Sequence, residues 1–112
     1  MESSLTDAAI VVLTNLPDRE SAQALARTLV EGRLAACVNI GAAVESIYHW
    51  RGEIEMGIEI PVAIKTRQVL YSNVEAAIRQ IHPYELPEIV AVPITDGAAA
   101  YLDWIDAETR PR

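Results

Sequence analysis

The chain has 112 residues, a formal net charge of −7 at pH 7 and 51% hydrophobic residues. This is typical of one globular domain over residues 1–112, because shorter pieces would bury too little apolar surface to be stable. The acidic charge argues against nucleic acids and anionic membranes as partners, since both attract positively charged proteins. Residues 1–7 and 108–112 are predicted as flexible tails.

Cysteine usage and hydropathy predict a cytoplasmic protein. Cys37 is the only cysteine, so no internal disulfide is available to stabilise the domain in an oxidising compartment. The first residues do not combine a basic region with an apolar segment, as a secretory signal does. No apolar run approaches the length of a transmembrane helix.

The first predicted elements are a strand and a helix. Residues 8–14 form a continuous apolar run, which is typical of a strand in the middle of a sheet. Pro17 and Asp18 suit the first positions of a helix. Apolar residues then recur at helical spacing, and Gly32 fits the position just after the helix end.

A long hairpin is predicted next. Residues 34–50 read as one strand, and Arg51 with Gly52 suits a tight turn. In the returning strand, over residues 53–66, glutamates alternate with apolar residues, which places the two sets on opposite faces of the sheet. Pro61 predicts a bulge or an edge, because proline cannot donate to a ladder.

The remaining segments are a helix, a strand and a short terminal helix. Residues 70–81 carry an apolar stripe that must end before Pro83. Residues 88–94 suit a strand, and residues 98–105 suit a short helix. The order βαββαβ plus a helix predicts an α+β, ferredoxin-like sandwich. Right-handed crossovers place its two long helices on one face of the sheet.

The hairpin is too long for a monomer. Arms of about 15 residues reach roughly 50 Å at strand rise, whereas helices of about 14 residues cover only about 20 Å. The distal apolar face of the hairpin would therefore lie uncovered. Exposed apolar strand surface of this extent marks an interface, so we expect oligomerisation through the hairpin.

The segment from His82 to Glu88 is the strongest candidate site. His82 is the first candidate metal ligand, because a neutral imidazole binds Cu(II), Zn(II) and Ni(II), with copper the tightest. We expect His82 to project from the helix end, with Glu85 or Glu88 supplying oxygen ligands and Tyr84 closing one side. On the residues alone, a histidine that only ends a helix is the favoured alternative.

Other residues are weaker candidates. Cys37 reads as a buried, inert thiol unless a neighbouring subunit brings His82 or Glu59 to it, and Glu59 adds an oxygen ligand. Lys65 suits an ion pair at a subunit cleft or a contact with an anionic ligand. Trp50 suits packing first and ligand stacking second. No phosphate-binding loop, His-Glu-x-x-His or paired-cysteine motif is present, so we do not expect an enzyme.

Five motifs resemble the CutA family of divalent-cation tolerance proteins. They are RLAACVNI at 33–40, SIYHWRG at 46–52, IKT at 64–66, HPYELPEI at 82–89 and YLDW at 101–104. The resemblance implies a ferredoxin-like fold, a tight homotrimer in the cytoplasm and association with Cu(II) and other divalent metals. It also implies a trimer similar to that of the PII signalling proteins, which bind small effectors between subunits.

The resemblance has two departures that affect metal binding. Copper-binding members of the family have a cysteine where this chain has Thr14, and a second histidine where it has Ile81. Only one imidazole is left in this region, so we expect copper binding to be modest and exchangeable. Two hypotheses remain: a trimeric metal-binding protein in divalent-cation tolerance, and a PII-like regulatory or scaffolding trimer that binds a small anionic effector or a partner protein.

Overall fold

The computed structural model describes residues 7–111 and confirms the predicted fold class. Over these residues, the elements in chain order are β1 (Ala9–Leu16), α1 (Arg19–Glu31), β2 (Cys37–Ile40), β3 (Val44–Trp50), β4 (Glu53–Arg67), α2 (Tyr71–Ile81), β5 (Ile89–Pro93) and α3 (Ala99–Glu108). A short 3₁₀ turn, Gln68–Leu70, joins β4 to α2. None of the helices in this part of the chain is both long and apolar enough to cross a membrane.

The strands form one antiparallel sheet. Their order is β2-β4-β1-β5, and β3 pairs with the part of β4 that extends beyond β2. The helices α1 and α2 lie on one face, where alternate residues of β1 and β4 are buried. The core between these layers contains Ile10, Val12, Leu16, Leu25, Leu29, Ile64, Val74 and Ile78.

The predicted start of α1 is confirmed. The Asp18 carboxylate accepts a hydrogen bond of 2.7 Å from the Ser21 amide, as expected of an N-cap. At the other end, Gly32 caps the helix with φ −83°, and Arg33 adopts the left-handed conformation instead, with φ 58°. This conformation is uncommon outside glycine, and here the Arg33 guanidinium donates to the Ala107 carbonyl at the end of α3, at 3.1 Å.

The predicted single strand over residues 34–50 is wrong, because the structure divides it into β2 and β3. Between the pairs Ile40↔Val62 and Val44↔Glu59, three residues of one strand face two residues of β4. This extra residue makes a bulge, and Pro61 lies opposite it, as its sequence position predicts. The Gly41 amide donates to the Pro61 carbonyl at 2.9 Å, so the side of Pro61 that lacks an N–H faces the bulge rather than a regular ladder.

The distal end of the hairpin is built as predicted. Arg51 and Gly52 both have positive φ, at 52° and 84°, which suits a two-residue turn between antiparallel strands. The first half of β4, from Glu53 to Glu59, pairs only with β3, because β1 ends opposite Ile60. The apolar face of this part of the hairpin is exposed in the single chain, and its exposed side chains are Ile47 of β3 and Ile54, Met56 and Ile58 of β4.

The helix α3 covers part of the opposite face of the sheet. Arg67, at the end of β4, is only 5% exposed, and its guanidinium donates to the Asp7 carboxylate at 2.7 Å and to the Thr109 carbonyl at 2.9 Å. Asp7 and Thr109 belong to the segments predicted as tails, so these two positions are anchored to the sheet. The rest of the N-terminal tail, residues 1–6, and residue 112 lie outside the described residues.

Candidate functional site

A wide groove separates the tip of the hairpin from the segment that joins α2 to β5. We call residues 82–88 the connector. The groove has a volume of about 1120 Å³ and is lined by β3 and β4 on one side and by the connector and β5 on the other. It exists because β1 ends at Leu16, which leaves the first half of β4 without a neighbour on this edge.

His82 lies behind the groove and is 8% exposed in the single chain. Of the two directions predicted for its side chain, solvent or a subunit boundary, the structure therefore contradicts solvent. Its Nε2 atom is 2.6 Å from the Asn15 carbonyl oxygen, and the Tyr84 amide donates to its Nδ1 atom at 3.2 Å. These contacts assign the proton of a neutral imidazole to Nε2, which donates to Asn15. Both ring nitrogens are therefore occupied by the protein itself.

Tyr84 and Glu59 form the polar centre of the groove. The Tyr84 ring packs edge-on against His82, with ring centroids 4.5 Å apart. Burial raises the pKa of the Tyr84 phenol above its usual value, and the nearby Glu59 carboxylate and Tyr48 phenol raise it further. The Ser46 hydroxyl donates to Glu59 Oε1 at 2.6 Å. The structure thus places Glu59, which the sequence analysis named as a candidate oxygen ligand, near Tyr84 on the connector.

The rim of the groove carries charged side chains. Arg51 pairs with Glu85 at 2.8 Å, and its guanidinium carbon lies 5.1 Å from the centroid of the Trp50 ring. The Asn15 side-chain amide donates to the Glu88 carboxylate at 2.8 Å. The groove therefore contains three glutamates, Glu59 included, against one arginine.

Cys37 and Lys65 lie away from this groove. They face each other across β2 and β4, and Lys65 pairs with Val11 of β1. His82 contacts β1 four residues further along, at Asn15, or about 13 Å away at strand rise. The Lys65 ammonium instead lies 5.6 Å from the centroid of the Tyr101 ring of α3.

The thiol of Cys37 is partly buried rather than buried, contrary to expectation. The register of β2 places its side chain on the face of the sheet that α1 and α2 do not cover. Its Sγ atom lies 3.9 Å from the Asn39 side-chain oxygen. Burial of this thiol was predicted from its apolar neighbours in sequence, but those neighbours point to the other face.

The described residues of a single chain do not fit a tight copper site. Within residues 7–111, the structure shows no group of three or more His, Cys, Asp or Glu side chains that could hold a metal ion. The His82 nitrogens are occupied, Glu85 is paired with Arg51, and Cys37 is distant. A copper ion of useful affinity needs several nitrogen or sulfur ligands together, and residues 7–111 of one chain do not supply them.

The sequence analysis missed three residues that line the groove, Ser46, Tyr48 and Arg51, and Asn15, which contacts its residues from β1. Asn15 contacts His82 and Glu88, which are 67 and 73 residues away in the chain. Contacts of this range leave no local pattern. For Arg51, the turn was predicted, but its pairing with Glu85 depends on how the hairpin meets the connector.

The sequence matches the family described as CutA1 divalent ion tolerance protein over residues 10–108. The divalent-cation tolerance protein CutA of Thermus thermophilus is 43% identical over 99 residues, which are 88% of this chain and 96% of that protein. The chloroplastic protein CutA of Arabidopsis thaliana is 42% identical over 109 residues, 97% of this chain, but the match spans only 60% of the longer plant protein.

Solved structures show the same fold. The Thermus thermophilus CutA1 structure is 42% identical and superposes with a TM-score of 0.88, covering 91% of this chain and 99% of that chain. The CutA1 structure from Oryza sativa is 36% identical with a TM-score of 0.89, covering 96% and 98%. Sequence and fold agree along nearly the whole domain, and the chain belongs to the CutA1 family of divalent ion tolerance proteins.

Proposed function

We propose that the protein acts in divalent-cation tolerance as a homotrimer in the cytoplasm, without catalysing a reaction. The observation that carries this proposal is the uncovered distal half of the hairpin. Ile47, Ile54, Met56 and Ile58 are 71%, 66%, 59% and 54% exposed on one face of it. A contiguous apolar strand surface of this kind calls for a partner, and a second copy of the chain supplies one for every subunit at once.

Divalent ions are held loosely in this proposal. The groove carries more carboxylates than cationic groups, and the whole chain has a net charge of −7, so cations are attracted to it. Because residues 7–111 contain no group of three or more metal-ligating side chains, we assign no resident ion to the chain. The finer prediction, a Cu(II) ion taken by His82 and Glu85, requires a direct binding test.

A small anionic effector is not favoured as the alternative ligand of this groove. Glu59, Glu85 and Glu88 line it against Arg51 alone, and the Arg51 guanidinium already pairs with Glu85. An anion placed here would face uncompensated carboxylates. Lys65, the cation considered for such a ligand, lies against Tyr101 on another part of the sheet.

Sedimentation tests the assembly. We expect the 12.3 kDa chain to sediment as a trimer at micromolar concentration. Ile58→Asp should shift it towards smaller species, because a charge would be buried in the interface. Val30→Asp, which replaces another exposed apolar residue on α1, is the matched control and should remain trimeric. A wild-type protein that is monomeric, folded and stable would contradict the proposal.

Calorimetric titration with Cu(II) tests the ion. We expect binding weaker than about 1 μM, since residues 7–111 contain no cluster of three ligands. His82→Gln and the control His49→Gln, at the hairpin, should then bind copper alike. Sub-micromolar binding that disappears only in His82→Gln would show that the imidazole leaves Asn15 and Tyr84 to take copper, and would replace loose binding by a specific site.

A further inference from the structure

The helix α3 buries little of its own surface. Among its ten residues, all of which the structure describes, only Ile105 is buried, whereas α1 buries Ala22, Leu25 and Leu29. The residue before α3, Ala98, has no side chain that could cap the first amides. A short helix with so little buried apolar surface is only marginally stable by itself. The position of α3 on the sheet therefore depends largely on the contacts at its C-terminal end.

Two arginines from other parts of the fold hold that end. Arg67, at the end of β4, donates to the Thr109 hydroxyl at 2.8 Å and to the Thr109 carbonyl at 2.9 Å. Arg33, which follows α1, donates to the carbonyls of Ala107 and Arg110. The last carbonyls of a helix have no partners within the helix and attract positive charge. Because α3 has no basic residue in its last turn, the two guanidinium groups supply this charge from outside the helix.

The segment before β1 joins the same cluster through Asp7. The Asp7 carboxylate accepts hydrogen bonds from Arg67 at 2.7 Å and from Arg110 at 2.9 Å. Arg110 also pairs with Asp106 of α3, at 2.8 Å. The Arg67 side chain is only 6% exposed, and charge-assisted hydrogen bonds are strongest where water is excluded. Asp7 and the end of α3 are therefore connected through Arg67 instead of being attached to the sheet separately.

The cluster lies far from the surface that the proposed assembly would cover. β4 runs from Glu53, beside the hairpin tip, to Arg67, which is a distance of roughly 45 Å at strand rise. The hydrogen bonds of the cluster form within one chain, so assembly through the hairpin leaves them in place. What they hold, and what happens when they break, can therefore be argued from a single chain.

We propose that α3 and Asp7 form a latched strap, which opens as one unit while the sheet, α1 and α2 stay folded. Arg67 and Arg33 are the latch, because one buried side chain is left to hold α3 when their hydrogen bonds break. Opening uncovers the second face of the sheet around Lys65, whose ammonium in the closed state lies 5.6 Å from the Tyr101 ring centroid. Since Asp7 pairs with Arg67, a change in the segment before β1 is transmitted to α3.

Amide hydrogen exchange, followed by NMR on the full protein, tests whether the strap opens locally. We expect the amides of Ile105 and Asp106 in α3 to exchange at least about 100-fold faster than those of Leu25 and Leu29 in α1. The reason is that local opening releases α3, whereas the α1 amides exchange only when the whole domain unfolds. Equally slow exchange in the two helices would overturn the proposal.

Variants then test the latch and its link to Asp7. Asp7→Ala should speed exchange in α3 about tenfold and leave α1 unchanged, because it removes a charged partner of Arg67 without altering α3. Arg33→Gly should also speed exchange in α3 alone. Glycine suits the φ of 58° at this position, so the fold is kept while α3 loses two hydrogen bonds.

Glu75→Ala is the matched control for Asp7→Ala. It removes a carboxylate that pairs with Arg79 on α2, at 2.9 Å, and it should leave exchange in α3 unchanged. If Asp7→Ala had no effect on α3, or speeded exchange equally in α1 and α3, Asp7 would not be part of a strap and the proposal would be wrong.

Discussion

The two halves of β4 have the same alternating sequence pattern but differ in how far their apolar side chains are buried. In the second half, from Ile60 to Arg67, alternate side chains are buried under α1 and α2. In the first half, Ile54, Met56 and Ile58 continue the same alternation but are more than half exposed. Alternation alone therefore predicts which face a side chain occupies. It does not predict whether anything covers that face.

Neighbouring strands and helices decide the difference. The second half of β4 lies between β1 and β2, whereas the first half has only β3 beside it. The boundary is set by Leu16, the last residue of β1, after which Pro17 and Asp18 turn the chain into α1. The second half of β4 is thus part of the core, and the first half is the surface that the proposed assembly would cover.

Replacing an isoleucine in each half is the strongest test of this comparison. Ile64→Ala should lower the free energy of unfolding by about 2–5 kcal/mol, because Ile64 is fully buried and its removal leaves a cavity. Ile54→Ala should change subunit stability much less and should weaken assembly instead. Chemical denaturation at several protein concentrations separates the two effects. If both variants lost the same free energy of unfolding at every protein concentration, the distinction between a core half and an assembly half of β4 would be wrong.

The arginines at the two ends of β4 provide a second test. Arg67→Met should cost about 2–3 kcal/mol, since Arg67 is 5% exposed and its loss leaves the Thr109 carbonyl without this donor and Asp7 paired with Arg110 alone. Arg51→Met should cost less than about 1 kcal/mol, because its pair with Glu85 is exposed. Thermal denaturation of both variants measures the difference, and similar losses would show that the two ends are equally anchored.

Thr14 of β1, which pairs with Val62 in the second half of β4, tests the cost of a buried hydroxyl without a hydrogen-bond partner. Its hydroxyl is buried and lacks a hydrogen-bond partner in the described part of the chain. Thr14→Val should stabilise the protein by about 0.5–1 kcal/mol, because it removes an unpaired polar atom and keeps the side-chain shape. Thr66→Val is the matched control, since the Thr66 hydroxyl donates to the Leu34 carbonyl at 2.7 Å. That variant should be destabilised, and stabilisation of both would contradict the assignment.

The stability that Asp7 contributes through its hydrogen bonds with Arg67 and Arg110 should depend on pH. A hydrogen bond from Arg110, aided by one from Arg67, lowers the pKa of Asp7 below its usual 3.8, against the opposing effect of burial. A lowered folded-state pKa adds stability above the unfolded value, and this is lost as pH falls through the folded value. Asp7→Asn should therefore show a smaller stability loss on acidification below about pH 4 than the wild type. Glu85→Gln at the other end is the comparison, and identical profiles for wild type and Asp7→Asn would rule out this contribution.

Much of the fold was predictable because its signals are local. The Asp18 cap, the Arg51–Gly52 turn and the end of α2 before Pro83 all depend on neighbouring residues. Pro61 indicated the bulge correctly, although the bulge lies in the opposing strand. The division of β2 from β3 was missed, since no breaker stronger than Gly41 occurs in that run.

The candidate site was less predictable. The sequence placed His82, Tyr84, Glu85 and Glu88 on one connector, and the structure keeps them together beside the groove. It could not show that His82 is turned inwards, because the Asn15 carbonyl that binds it belongs to a strand 67 residues earlier. Glu59 lies near Tyr84 because the hairpin brings β4 towards the connector. Cys37 lies far from the groove because the register of β2 pairs it with Lys65.

The sequence by itself determined the order of the elements, the face each side chain occupies and the family, since these follow from local propensity, period and matching motifs. The tertiary structure decided which hydrogen-bonding groups are already occupied and which charges stay unpaired. Those properties depend on contacts between distant segments, here β1, the hairpin and the connector. A donor or carboxylate is available to a ligand only where such contacts leave it free.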